Sequence, residues 1–249
     1  MKSYTKIHFL FIYLISLTIE GFAQEKISVA HFEKITVSPH IQLLLEQGDE
    51  ESVTINDHIV PLEKINIKVD GKNLHIYLDD AKMTTKQVKH TENGHSVSTP
   101  IYTGTQVTAQ ISYKILRDLS IRGEETTTLV SPIVENKFTI NLYGESKLII
   151  DSIQTKELKA TLYGDNHLTI HKGEAASQVF KSYGESKIDA ALLNSDFSRV
   201  TSYGENTFNL NSKEKIKVWA FGDASINYSG DAEIQRLITI GEIKVNKIN

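Results

Sequence analysis

Apolar and polar residues alternate along most of this chain with period two, the spacing of strands that bury one face. The pattern is plain in Lys34-Ile35-Thr36-Val37, Ile41 to Leu45, Ser52-Val53-Thr54-Ile55, Ile65 to Val69 and Leu74 to Leu78. Gln47-Gly48-Asp49 and Asp70-Gly71-Lys72-Asn73 are turn material between these runs, and the second predicts a hairpin-like reversal. Residues 79–105 are polar, rich in Thr, Lys and His around Asn93-Gly94, and read as a long exposed loop. A strand near Gln106 to Ile115 follows. No stretch keeps a helical period over three turns, so the predicted class is all-β.

In the second half the alternation is locked to a repeat. Tyr143-Gly144-Glu145-Ser146, Tyr163-Gly164-Asp165-Asn166, Tyr183-Gly184-Glu185-Ser186, Tyr203-Gly204-Glu205-Asn206 and Phe221-Gly222-Asp223-Ala224 return at nearly constant spacing, with outlying copies at Gly123 and Gly241. The steps between glycines are 21, 20, 20, 20, 18 and 19 residues. A fixed period of this size marks one structural unit stacked many times.

Aligning the units on glycine sorts their residues into columns. Ser146, Asn166, Ser186, Asn206 and Ala224 share a column with the strand parity of Leu148, Leu168, Ile188, Phe208 and Ile226 and of Ile150, Ile170, Ala190, Leu210 and Tyr228, so all three face inward. Ile140, Ala160, Phe180, Val200, Val218 and Leu237 form an apolar column before the glycine. Twenty residues at about 3.3 Å each circle a narrow core once, and stacked coils lie about 4.8 Å apart with parallel hydrogen bonds. The expected architecture is a right-handed parallel β-helix, a β-solenoid. An antiparallel meander would let unit length drift. The Leu-x-x-Leu-x-Leu-x-x-Asn signature of leucine-rich repeats is absent.

The phrasing resembles the GIN-domain family, the auto-transporter adhesin head domain. Its opening is matched by Phe32-Glu33-Lys34-Ile35-Thr36-Val37-Ser38, Leu43-Leu44-Leu45-Glu46-Gln47-Gly48 and Ser52-Val53-Thr54-Ile55. Its close is matched by Ile226-Asn227-Tyr228-Ser229-Gly230 and Ile240-Gly241-Glu242-Ile243. Family members carry Ser-Gly corners where this chain has Tyr-Gly-Glu-Ser, which alters what the surface displays. The resemblance implies an exported bacterial β-helical protein with no established activity. We read one domain over 24–249, with N-terminal strands and loop at 24–119 and glycine-centred coils at 120–249.

Composition narrows the setting. Lys2 and Lys6, the apolar run Ile7 to Ile19, and the small residues Gly21 and Ala23 make a signal peptide over 1–23, with the mature chain starting at Gln24. The expected location is periplasmic, outer-surface or extracellular, with no transmembrane span after cleavage. The chain has no cysteine, so core burial and hydrogen bonds must hold it without disulfides. A formal charge of −4 and the lack of a basic block argue against nucleic acid as a partner.

Two ladders are the candidate binding residues: Tyr143, Tyr163, Tyr183 and Tyr203, and beside them Glu145, Asp165, Glu185 and Glu205. The tyrosines read first as a stack that stabilises the coils, and alternatively as a platform for a glycan or a cell-surface protein. Carboxylates about 4.8 Å apart repel by about 0.9 kcal/mol per neighbouring pair in bulk water, and Lys147 and Lys187 lie near enough in sequence to interleave positive charge. Calcium is the competing reading of that column, but the Gly-Gly-x-Gly-x-Asp calcium repeat is missing.

His167 and His171 would sit about 13 Å apart on a strand, too far to chelate one metal. No Gly-x-Ser-x-Gly or phosphate loop occurs, and Arg122, Arg199 and Arg236 fall in different columns. The expectation is a non-catalytic adhesion or structural module without cofactor or metal, with a polysaccharide lyase or hydrolase as the alternative. An exposed last coil ending in Ile243, Val245 and Ile248 offers an edge for self-association.

Overall fold

The computed structural model describes residues 25–92 and 94–248. The predicted signal peptide lies outside this range. The chain is a β-solenoid of about six turns, about 20 residues apart. Each complete coil has a long strand ending at the repeat glycine and a short strand after it. Ile133–Gly144 and Lys147–Ile150 form one coil, and Ile153–Gly164 and His167–Ile170 the next. Gly173–Gly184, Lys187–Gly204 and Asn206–Phe221 continue the stack.

Pairing between coils is parallel and in register, so Tyr143 meets Tyr163, Tyr163 meets Tyr183, and Gly184 meets Gly204. The predicted columns therefore line up as files. Leu148, Leu168, Ile188, Phe208 and Ile226 are fully buried, as are Ile140, Phe180, Val200 and Val218. A further inward file, Leu142, Leu162, Ser182, Ser202 and Ala220, completes the core beside the tyrosines.

Glycine at the corner answers two demands. Gly164 has φ +103°, outside the ordinary range of L-residues, and a Cβ there would lie 2.2 Å from the Gly144 carbonyl oxygen of the preceding coil. Behind each corner, the Ser/Asn file braces the turn from inside. Asn206 Nδ2 donates to the Tyr203 carbonyl (3.2 Å) and to Ser202 Oγ (2.9 Å), while its Oδ1 accepts from the Ser186 backbone N–H (2.9 Å) and from Ser182 Oγ (2.6 Å). Ser146 Oγ and Asn166 Nδ2 likewise donate to the carbonyls of Tyr143 and Tyr163. From Ser146 to Asn206 the file is polar because buried backbone groups at these corners need partners, two or more at each.

The N-terminal half is not a separate prelude to the coils. Lys34–Val37 and Ile41–Gln47 pair in parallel with Asp118–Gly123 and Thr126–Leu129, and so form a coil of the same stack. On their other side they pair in parallel with Asn73–Leu78 and Val107–Tyr113, so the outermost coil is assembled from two distant pieces of chain. Antiparallel strands Ile65–Asp70 and Ser52–His58, with Glu25–Ser28 outside the latter, cover that end. The Asp70-Gly71 hairpin is formed as expected.

Two local expectations are corrected. Within 79–105, Gln87–Glu92 and His95–Pro100 pair as an antiparallel hairpin, exposed on both faces. Period-two burial could not reveal it because neither face is buried. Leu237 does not continue the inward column: it is 41% exposed. The ladder slips there, Val218 pairing with Arg236 and Trp219 with Ile238, which bulges Leu237 out. Such slips also account for the uneven steps. Between Ala190 and Asn194, Ala191-Leu192-Leu193 have no counterpart in the following coil.

Candidate functional site

The repeat corners build one continuous surface feature. Because Tyr143, Tyr163, Tyr183, Tyr203 and Phe221 occupy the same rung position in successive coils, their rings stack. Centroid separations are 5.3, 4.9, 5.2 and 4.7 Å, with interplanar angles of 7° to 11°. The Arg122 guanidinium lies 4.8 Å over Tyr143 and closes the row at that end. Burial between neighbouring rings, with lesser effects of Tyr163 and Tyr203, raises the Tyr183 phenol above its usual pKa.

Stacking decides what the row can offer. Each inner ring has both faces covered by its neighbours, so it presents its edge and hydroxyl to solvent. Tyr163 and Tyr203 are 43% and 41% exposed on these terms. Sugars pack on ring faces, and along this row the faces are taken. What remains is a file of phenol hydroxyls, competent to hydrogen-bond a ligand.

Glu145, Asp165, Glu185 and Glu205 are all exposed just past the glycines, as their column predicted. Their backbone N–H groups donate to the carbonyls of Gly123, Gly144, Gly164 and Gly184, at 3.0, 2.8, 3.3 and 3.0 Å, which fixes the file. Lys147 and Lys187 make no ion pair within 4.0 Å among the described residues, so they do not interleave with these carboxylates. Each lies beyond the buried Ser/Asn position, one strand alternation away, and solvent screens what repulsion remains. Among the described residues, no three metal-ligating side chains converge. His167 and His171 are exposed on the short-strand side.

Two concave regions flank the long strands. One groove, of about 570 Å³, runs across the coils at the far corner, where Glu135, Glu174 and Asp196 lie with Lys156 and Lys213. The other, about 310 Å³, is lined on the long-strand face by Lys159, Phe197, Arg199, Lys215 and Lys217. Sequence reasoning passed over this second group. Its signal was available: Lys159, Val179, Arg199 and Lys217 all stand five residues before a repeat glycine.

A family model described as "Putative auto-transporter adhesin, head GIN domain" matches residues 31–232, spanning the N-terminal coils and nearly all the repeats. The chain belongs to the GIN-domain family. No curated protein matches it. Among solved structures, the GIN domain here is similar to "a putative adhesin" from Bacteroides fragilis, at TM-score 0.71 and 18% identity over 90% of this chain and 96% of that one. A second "putative adhesin", from Parabacteroides merdae, superposes at TM-score 0.64 and 15% identity, covering 91% and 96%. A "putative lipid binding protein" from Parabacteroides distasonis does so at 0.62 and 17%, again covering 91% and 96%. At these identities the likeness establishes the shared fold.

Proposed function

We propose that this GIN domain is an exported, non-catalytic adhesion module that engages a glycan or a cell-surface protein through its tyrosine–carboxylate row. The carrying observation is the unbroken in-register file of Tyr143, Tyr163, Tyr183 and Tyr203 beside Glu145, Asp165, Glu185 and Glu205. A rigid file of identical hydrogen-bonding groups suits an extended or repetitive ligand, because each coil adds one more contact at no further ordering cost. Membership of an adhesin-head family supports the reading.

The test is a glycan array and a binding screen against surface-protein extracts, using wild type and the Tyr163→Phe/Tyr183→Phe pair. Those substitutions keep the stack and remove the hydroxyls. Binding lost in the pair with unchanged melting supports the row as the contact. Binding identical in both removes it.

A second reading is a polysaccharide-acting enzyme in the groove that holds Glu135, Glu174 and Asp196, since paired carboxylates in a cleft are what glycoside cleavage requires. Arg117 Nε donates to Glu135 Oε2 at 3.3 Å, and Lys213 lies 3.8 Å from Asp196, so two of the three are held as ion pairs. Release of reducing ends that is abolished by Glu174→Gln would establish this reading over adhesion.

A further inference from the structure

We infer that the long-strand face carries a binding groove for an extended anionic polysaccharide, separate from the tyrosine–carboxylate row. The chain is acidic as a whole, with a formal charge of −4. This face is not. Parallel pairing brings Lys159, Val179, Arg199 and Lys217 into one outward file, and Lys137, Glu157, Ser177, Phe197 and Lys215 into the next. Six cations result on adjoining rungs once Lys181, one file over, is included.

The carboxylates nearby neutralise only part of this charge. Glu157 takes Lys159 at 2.9 Å and Lys137 at 3.5 Å, and Glu233 takes Lys215 at 3.5 Å. Among the described residues, Lys181, Arg199 and Lys217 have no carboxylate within 4.0 Å. Arg199 and Lys217 are adjacent in their file, about 4.8 Å apart along the stack. Two cations on neighbouring rungs, neither with a carboxylate within 4.0 Å among the described residues, leave a local field that attracts an anion.

The groove also has a shape and an apolar component. It is a trough of about 310 Å³. Phe197, 46% exposed, lines it beside Val179. The Arg199 guanidinium lies over the Trp219 ring, 5.7 Å from its centroid. Cations with an exposed ring form the combination that takes a sugar bearing carboxylate or sulfate: the ring covers the apolar face of the sugar while the cations meet its charge. A trough crossing the coils fits an extended polymer better than a flat bilayer, which cannot follow charges into a recess.

The test measures binding of the full mature protein to polygalacturonate, dextran sulfate and uncharged dextran, and to vesicles of phosphatidylcholine with phosphatidylglycerol. The expected result is salt-sensitive binding to one or both anionic polymers, with none to dextran. Arg199→Gln/Lys217→Gln should weaken it by about tenfold or more. Lys147→Gln/Lys187→Gln removes the same charge from another face and should change it by less than about twofold. Melting of both variants is recorded; Phe197→Ser, which leaves all charges in place, should also weaken binding. The inference is overturned if neither anionic polymer binds, if the two charge variants lose affinity equally, or if only vesicles bind. The Tyr163→Phe/Tyr183→Phe pair should bind these polymers as wild type does, so failure of the groove and failure of the row are read separately.

Discussion

Replacing Gly164 with alanine tests the stack at its tightest point. At φ +103° an L-residue carries backbone strain of about 1–3 kcal/mol. The new Cβ would stand 2.2 Å from the Gly144 oxygen and 3.1 Å from its carbonyl carbon, both backbone atoms that no rotamer change can move. Relief requires the two coils to separate locally. That stretches the bond from the Asp165 N–H to the Gly144 oxygen, now 2.8 Å, at about 1 kcal/mol, and loosens the Tyr143–Tyr163 stack. The combined loss is about 3–5 kcal/mol, or roughly 6–20 °C in melting midpoint for a chain of this size. Gly71→Ala is the matched control: φ is +58° and nothing lies within 4 Å of its Cβ. It should cost about 1 kcal/mol or less once the stiffer unfolded chain is counted. Far-ultraviolet circular dichroism during heating measures both. If the two variants melt within about 2 °C of each other, corner glycines are not in van der Waals file and the stacking argument fails.

Tyr183→Ala removes two ring contacts and should lower stability by about 1–3 kcal/mol, whereas Tyr183→Phe should leave it within about 0.5 kcal/mol; calorimetry distinguishes them. Phe180→Ala in the fully buried file should cost about 3–5 kcal/mol in denaturant titration. Burial, followed by the charges of Lys82 and Arg122, depresses the pKa of His75 below 6.5, so the folded state resists taking a proton that the unfolded chain accepts. Stability should therefore fall as pH drops through and below 6.5, and His75→Asn should flatten that limb. The Glu33 carboxyl is shifted the other way, held below its usual value first by the Lys72 hydrogen bond and then by Arg117; its contribution is present above pH 4.5 and lost as pH falls through the lowered value. Among the described residues the last strands pair on one side only and leave Ile240 63% exposed, so light scattering should show self-association that Ile240→Lys, which puts a charge on that open edge, abolishes.

Much of this was open to reading in one dimension. Glycine spacing gave the coil, and side-chain parity placed Leu148, Phe180 and Phe208 inside and Glu145 and Glu185 outside. The candidate row was equally legible, because in-register stacking turns a sequence column into a spatial file. The buried braces were visible as the alternation Ser146, Asn166, Ser186, Asn206, though not the carbonyls they satisfy. The hairpin around Gly94 escaped because its strands bury nothing, and Leu237 escaped because a one-residue slip leaves no mark on composition.

The sequence alone determined whatever repeats: a lap of about twenty residues, its apolar interior and its glycine corners, since strand parity and a constant period are properties of the chain read in order. Tertiary structure alone decided what distant segments do to one another. It slots Lys34–Gln47 between the strands Asn73–Leu78 and Val107–Tyr113 on one side and Asp118–Leu129 on the other, pairs Gln87–Glu92 with His95–Pro100, and bulges Leu237 out of its column. The reason is physical: backbone pairing joins residues according to which hydrogen-bonding edges lie open, and openness depends on the whole stack.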